Sequence, residues 1–122
     1  MGTMVDGHRV RPVTRSRGAF LEPHLRGLVT RALRPSEVIG ACCYHVGCTR
    51  ESFGVPGGEG VRARRLAVLV LRGEGFSFPE VGRMLGYADH TGAKAMEDTA
   101  TAVDWGEARS IAWKLVARLV AA

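Results

Sequence analysis

Apolar side chains recur at helical spacing along most of the chain, and Gly, Pro and Ser/Thr/Asp punctuation divides it into segments. Phe20, Leu21, Leu25, Leu28, Val29, Ala32 and Leu33 predict a helix over 19–33, with Pro23 in its first turn and Gly27 as its weak point. Pro35 separates this helix from the next. Ser36 is placed to cap a helix over 37–45, with Val38, Ile39, Cys42 and Val46 as its buried side, and Thr49 to cap a short turn over 50–53. GVPGGEG at 54–60 reads as a loop. In 61–72, the unbroken run from Leu66 to Leu71 would also suit a buried strand, since β-branched residues are present. The twelve-residue length and the basic side chains gathered at its start favour a helix, ended by Gly73, Glu74 and Gly75. Asp104 and Glu107 have capping-box spacing and predict a last helix over 105–120. Trp105, Ala108, Ala112, Leu115, Val116 and Leu119 fall on one of its faces, Arg109, Lys114 and Arg118 largely opposite, and Trp113 near the edge. That face either covers the core or forms a dimer surface; packing within the chain is preferred, because a domain this small is short of core.

The most informative stretch is 77–96, SFPEVGRMLGYADHTGAKAM. Ser77 and Glu80 have the spacing of a capping box, and Pro79 falls in the first turn, where its missing N–H costs nothing. Val81, Met84 and Leu85 supply an apolar stripe, Gly82 leaves room for close backbone approach, and Gly86 suits a left-handed C-terminal stop. Asp89 is placed to cap a second helix, from His90 to about Val103. Two short helices around a tight turn are the helix-turn-helix layout, whose second helix presents its N-terminal side chains to a DNA major groove.

S-F-P-E-V-G at 77–82, the glycine at 86 and D-H-T at 89–91 resemble the C-terminal DNA-binding domain (domain IV) of the bacterial replication initiator DnaA. R-A-R-R-L-A-V-L-V-L at 62–71 is similar in kind and in distance, so the likeness spans roughly 36–100, with D-H-T its specific part. The resemblance implies a small all-α, DnaA domain IV-like or Trp-repressor-like domain whose helix-turn-helix core is about 77–103. It implies base-edge or phosphate contacts by His90 and Thr91, with Asp89 as cap or as acceptor from a cytosine amine. Lys94 is the basic residue of the recognition helix. Arg64 and Arg65 best match a backbone-contacting residue of the upstream helix, which also carries Arg62 and Arg72. Phe78 and Pro79 match positions whose helix N-terminus abuts a phosphate. The family's usual basic residue before D-H-T and second threonine after it are Ala88 and Gly92 here, and 54–60 has little of the family's basic loop.

Composition narrows the rest. With 122 residues, 46% of them apolar, the chain is expected to fold as one domain over 19–122 behind a basic arm at 1–18. Arg9, Arg11, Arg15 and Arg17 of that arm suit a DNA minor groove or an ordinary solvated terminus. A net charge of +5 fits nucleic acid. No apolar run is long enough to span a membrane and the N-terminus lacks a signal peptide's apolar core, so a cytoplasmic, nucleoid-associated protein is expected. No G-x-x-x-x-G-K-[ST] loop is present, so no nucleotide is expected, and no other cofactor. Cys42, Cys43, His45 and Cys48 would offer zinc all its ligands from one helix without a second pair, and buried thiols explain them better. Asp89 and His90 are chain neighbours whose side chains diverge, and no nucleophile accompanies them, so no enzyme is expected. The expected partner is double-stranded DNA, with a homodimer through the last helix left open. The rival is a protein-interaction module on the same scaffold, favoured by Ala88, Gly92 and the acidic Glu97 and Asp98. Those carboxylates would repel phosphates, so they must turn away from any DNA.

Overall fold

Leu66 to Leu71, the run that could be strand or helix, is a helix enclosed on every side. The computed structural model describes residues 34–87 and 91–121. All elements among the described residues are helices: α1 (Pro35–Val46), α2 (Arg50–Phe53), α3 (Gly58–Gly73), α4 (Phe78–Leu85), α5 (Thr91–Asp98) and α6 (Ala102–Ala121). Helix α3 packs against all five others. Leu66, Ala67, Val68, Leu69, Val70 and Leu71 have no exposed surface. A helix covered all round has no polar face to keep, which is why this segment shows no stripe. Each enclosed Leu or Val side chain contributes about 1.5–3 kcal/mol through the water it leaves.

The covering residues are Val38 and Cys42 of α1, Phe53 of α2, Val81 of α4, Ala93 of α5, and Trp105, Ala108, Ile111, Ala112, Leu115 and Val116 of α6. The face expected of the last helix is therefore buried within the chain against α1 and α3, with Ile111 added to it. The arm at 1–18, the helix expected at 19–33, and Ala88, Asp89 and His90 lie outside the described residues, as does the side chain of Leu119.

Several local signals act as expected. Thr49 accepts the Ser52 N–H at the start of α2. Ser77 and Glu80 form the full capping box of α4, and Gly86 ends that helix with φ 83°. Four boundaries differ. Helix α1 begins at Pro35, with Arg34 as N-cap and no side-chain cap. Ser36 is already helical, because proline at the first position fits without its N–H. Helix α3 starts at Gly58, inside the expected loop, because its first turn leans on α2: a Cβ on Gly60 would overlap the Ser52 carbonyl. Helix α5 ends at Asp98 rather than near Val103. Helix α6 starts at Ala102, where Thr101 and Asp104 exchange bonds of 3.0 and 3.2 Å, so the capping box is 101–104 and not 104–107.

Gly60 and Gly106 make a paired test. Gly60→Ala is expected to cost about 1–3 kcal/mol, since α3 must back away from α2. Gly106→Ala meets nothing within 4 Å and is expected to gain up to about 1 kcal/mol from helix propensity. Urea melts of the two variants check the contrast.

Candidate functional site

Helices α4 and α5 are both short, and each shows one face to solvent. On α4, Val81 and Gly82 are buried while Pro79 and Arg83, one turn apart, are exposed. On α5, Ala93 and Glu97 face inward, and Thr91, Lys94, Ala95 and Asp98 form the outward stripe. Lys94 Nζ donates to Asp98 Oδ2 at 3.1 Å, a surface pair one turn long. The acidic pair expected to turn away from DNA thus divides. Glu97 is 2% exposed, and Asp98 stays outside beside a lysine.

Tyr87 lies between the two helices. A Cβ on Gly92 would touch its ring at 3.4 Å, so the tyrosine occupies the ground beside Gly92, which stands where the resemblance implies a second threonine. Burial raises the pKa of its phenol, with Arg64 acting in the opposite sense, and the group is neutral at neutral pH. Tyr87 and Arg64 also line a cleft of about 330 Å³ with Phe53, Pro56 and Leu85.

The arginines of α3 bond to groups of the same chain, Arg62 at the surface and Arg64, Arg65 and Arg72 partly buried. Arg62 Nη2 donates to both Glu107 oxygens at 2.8 and 3.0 Å. Arg64 Nη1 donates to the carbonyls of Phe53 and Val55, holding the end of α2 against α3. Arg65 Nη2 donates to Thr99 Oγ1 at 3.2 Å. Arg72 Nε meets Glu97 Oε1 at 2.7 Å, its Nη1 donates to the Phe76 carbonyl at 3.0 Å, and its guanidinium stacks 4.0 Å over the Phe78 ring. Phe78 is therefore half-buried packing as well as the first residue of α4, and Pro79 is exposed beside it. Of the residues expected to meet DNA, Pro79 is exposed on α4 and Thr91 and Lys94 are exposed on α5. Arg62, Arg64, Arg65 and Arg72 are bonded within the chain, and Asp89 and His90 lie outside the described residues.

Arg83 was missed from the sequence. It is exposed in the last turn of α4, with no side-chain partner among the described residues. Its position one turn after Pro79 was a readable signal.

Among the described residues no set of His, Cys, Asp or Glu is placed to hold a metal ion. The three cysteines are free thiols. Burial pushes Cys42 far up in pKa, and burial with a bond to Cys48 pushes Cys43 up to about 11. A second concave surface, about 300 Å³, lies between α1 and α6 and is lined by Ala41, Tyr44, His45, Ile111, Lys114 and Arg118. No helix among the described residues is long and apolar enough to cross a membrane. No protein family, curated protein or solved structure matches the chain.

Two outcomes follow from this geometry. Arg64→Ala should cost about 1–3 kcal/mol of stability, because two carbonyls lose their donor, whereas Arg62→Ala on the surface should cost less than about 1 kcal/mol. Denaturant melts measure both. Iodoacetamide at about pH 8 should modify Cys48, which is partly exposed, and spare Cys42 and Cys43 until the chain is unfolded, because only a reachable thiolate reacts. Peptide mass spectrometry reads the sites.

Proposed function

We propose that this chain binds double-stranded DNA through α4 and α5, used as a helix-turn-helix of the DnaA domain IV or Trp-repressor kind. The reading rests chiefly on the way α5 is turned. One of its two acidic residues, Glu97, is buried against Arg72, and Thr91, Lys94 and Ala95 stand outward on the stripe that a major groove would meet, with Asp98 on the same stripe neutralised by its pairing to Lys94. Thr91 offers a hydroxyl to a base edge or phosphate, and Ala95 a methyl to thymine. The D-H-T block and the net positive charge support the same partner. Arg83 and Lys94 would contact phosphates, with the arginines of 1–18 as further candidates, while the α3 arginines act mainly as struts. A small regulator of transcription or replication from a bacterium, phage or mobile element fits such a domain, working in the cytoplasm at the nucleoid, without cofactor or catalytic chemistry.

A protein-interaction module on the same scaffold is the second reading. The observation favouring it is that Arg62, Arg64, Arg65 and Arg72 all find partners within the chain, as does Lys94. Salt separates the two. Phosphate contacts release counterions and give a steep loss of affinity with salt, whereas a module without DNA gives no duplex binding at low salt.

Selection from a random duplex pool is expected to enrich one motif. On that motif Thr91→Ala should cost about 1–3 kcal/mol and much less on random DNA. Arg83→Ala should weaken all duplexes alike and lower the salt slope by about one. No enrichment, together with no duplex binding at low salt, would overturn the proposal.

A further inference from the structure

Helix α5 has only eight residues, too few to be stable by itself, so its pose is set by what it touches. Its fully buried side chains are Ala93 and Glu97, one turn apart. A methyl group fits many rotations of a helix about its axis, but a carboxylate bound to a fixed guanidinium fits few. The guanidinium of Arg72 is fixed from several directions. It rises from α3, donates to the Phe76 carbonyl in the α3–α4 connection at 3.0 Å, lies 4.0 Å over the Phe78 ring of α4, and grips Glu97 of α5 at 2.7 Å. The side chains are 18% and 3% exposed, so water neither screens the pair nor competes strongly for it.

We infer that the Arg72–Glu97 pair is the positioning device of α5, fixing its rotation and tilt against α3 and α4 and so aiming Thr91, Lys94 and Ala95. For sequence readout this rests on the DNA-binding function proposed above. A buried ion pair is commonly replaceable by apolar residues with no loss of stability, because desolvation offsets its attraction. What apolar side chains cannot replace is the directional constraint. Neighbouring residues on a helix are about 100° apart, so even a fraction of a one-residue rotation carries the outward stripe off a base edge.

The test uses the full chain with Glu97→Gln, which keeps the shape and removes the charge, and Arg72→Met/Glu97→Leu, which replaces the pair by apolar contact. Thermal melts, residual dipolar couplings of α5 amides relative to α3, and the ratio of affinities for selected and random duplexes are measured for each. The double variant should stay folded and melt no more than modestly below wild type, since apolar contact replaces the ion pair while the Phe76 carbonyl loses its Arg72 donor. Its α5 couplings should report a changed axis, and its affinity ratio should fall roughly tenfold, about the size of one lost base contact. Glu97→Gln should move both readouts in the same direction by less. Couplings and ratio that match wild type in a folded double variant would overturn the inference, as would couplings that change equally in every helix. If the wild-type chain binds no duplex, the DNA reading fails alone, and the couplings still decide whether the pair orients α5. Should the double variant not fold, Glu97→Gln decides by the same couplings.

Discussion

Burial of α3 on all sides is the constraint on which the rest of the molecule depends. From Leu66 to Leu71 that helix presents no surface to water, so the other helices must together close around it. Helix α6 supplies the longest cover, with Trp105, Ala108, Ile111, Ala112, Leu115 and Val116 turned inward. Helices α1 and α2 close a second side through Val38, Cys42 and Phe53. Helices α4 and α5 close the remainder, with Val81 and Gly82 of α4 and Ala93 and Glu97 of α5 turned inward. Their outer faces, with Pro79 and Arg83 on α4 and Thr91, Lys94, Ala95 and Asp98 on α5, are exposed.

The arginines follow from this arrangement. A central helix whose middle is wholly apolar can carry charge only at its ends, and at those ends the covering helices bring carbonyls and carboxylates within reach. Arg62 and Arg64 near the start reach Glu107, Phe53 and Val55, and Arg72 at the finish reaches Glu97 and Phe76. Pairings of this kind organise the domain more than they stabilise it, since exposed pairs are screened and buried ones must be desolvated. A basic helix end that looks made for phosphates is thereby spent on holding neighbours in place. The exposed cations Arg83 and Lys94 stand instead on α4 and α5, Lys94 paired with Asp98.

Local physics was readable and long-range physics was not. The capping box of Ser77 and Glu80, the left-handed Gly86 and the Thr49 cap each involve groups within a single turn, so residue order is enough to find them. Overlapping signals defeated the same logic at 101–107, where Thr101–Asp104 and Asp104–Glu107 both have capping-box spacing. The first prevails, and Glu107 is instead drawn to Arg62, 45 residues away. Gly58 and Gly60 look like loop by propensity, yet Gly60 is what lets α3 begin early, because only a missing side chain allows its first turn onto Ser52. The inward turn of Glu97 depends on Arg72, 25 residues distant, and no local pattern carries it. Helicity of 61–72 was legible from length and flanking charge, though its complete enclosure was not.

In the proposed function, the α4–α5 surface meets DNA while the α3 arginines stay bonded within the protein. An NMR titration with a short duplex tests it most directly, following backbone amides together with arginine Nε–Hε signals. The amides of Thr91, Lys94 and Ala95 and the Nε–Hε of Arg83 are expected to shift with DNA, while the Nε–Hε signal of Arg72 keeps its position. Shifts confined to α1 and α6, or large shifts at Arg72 with α5 unmoved, would contradict it.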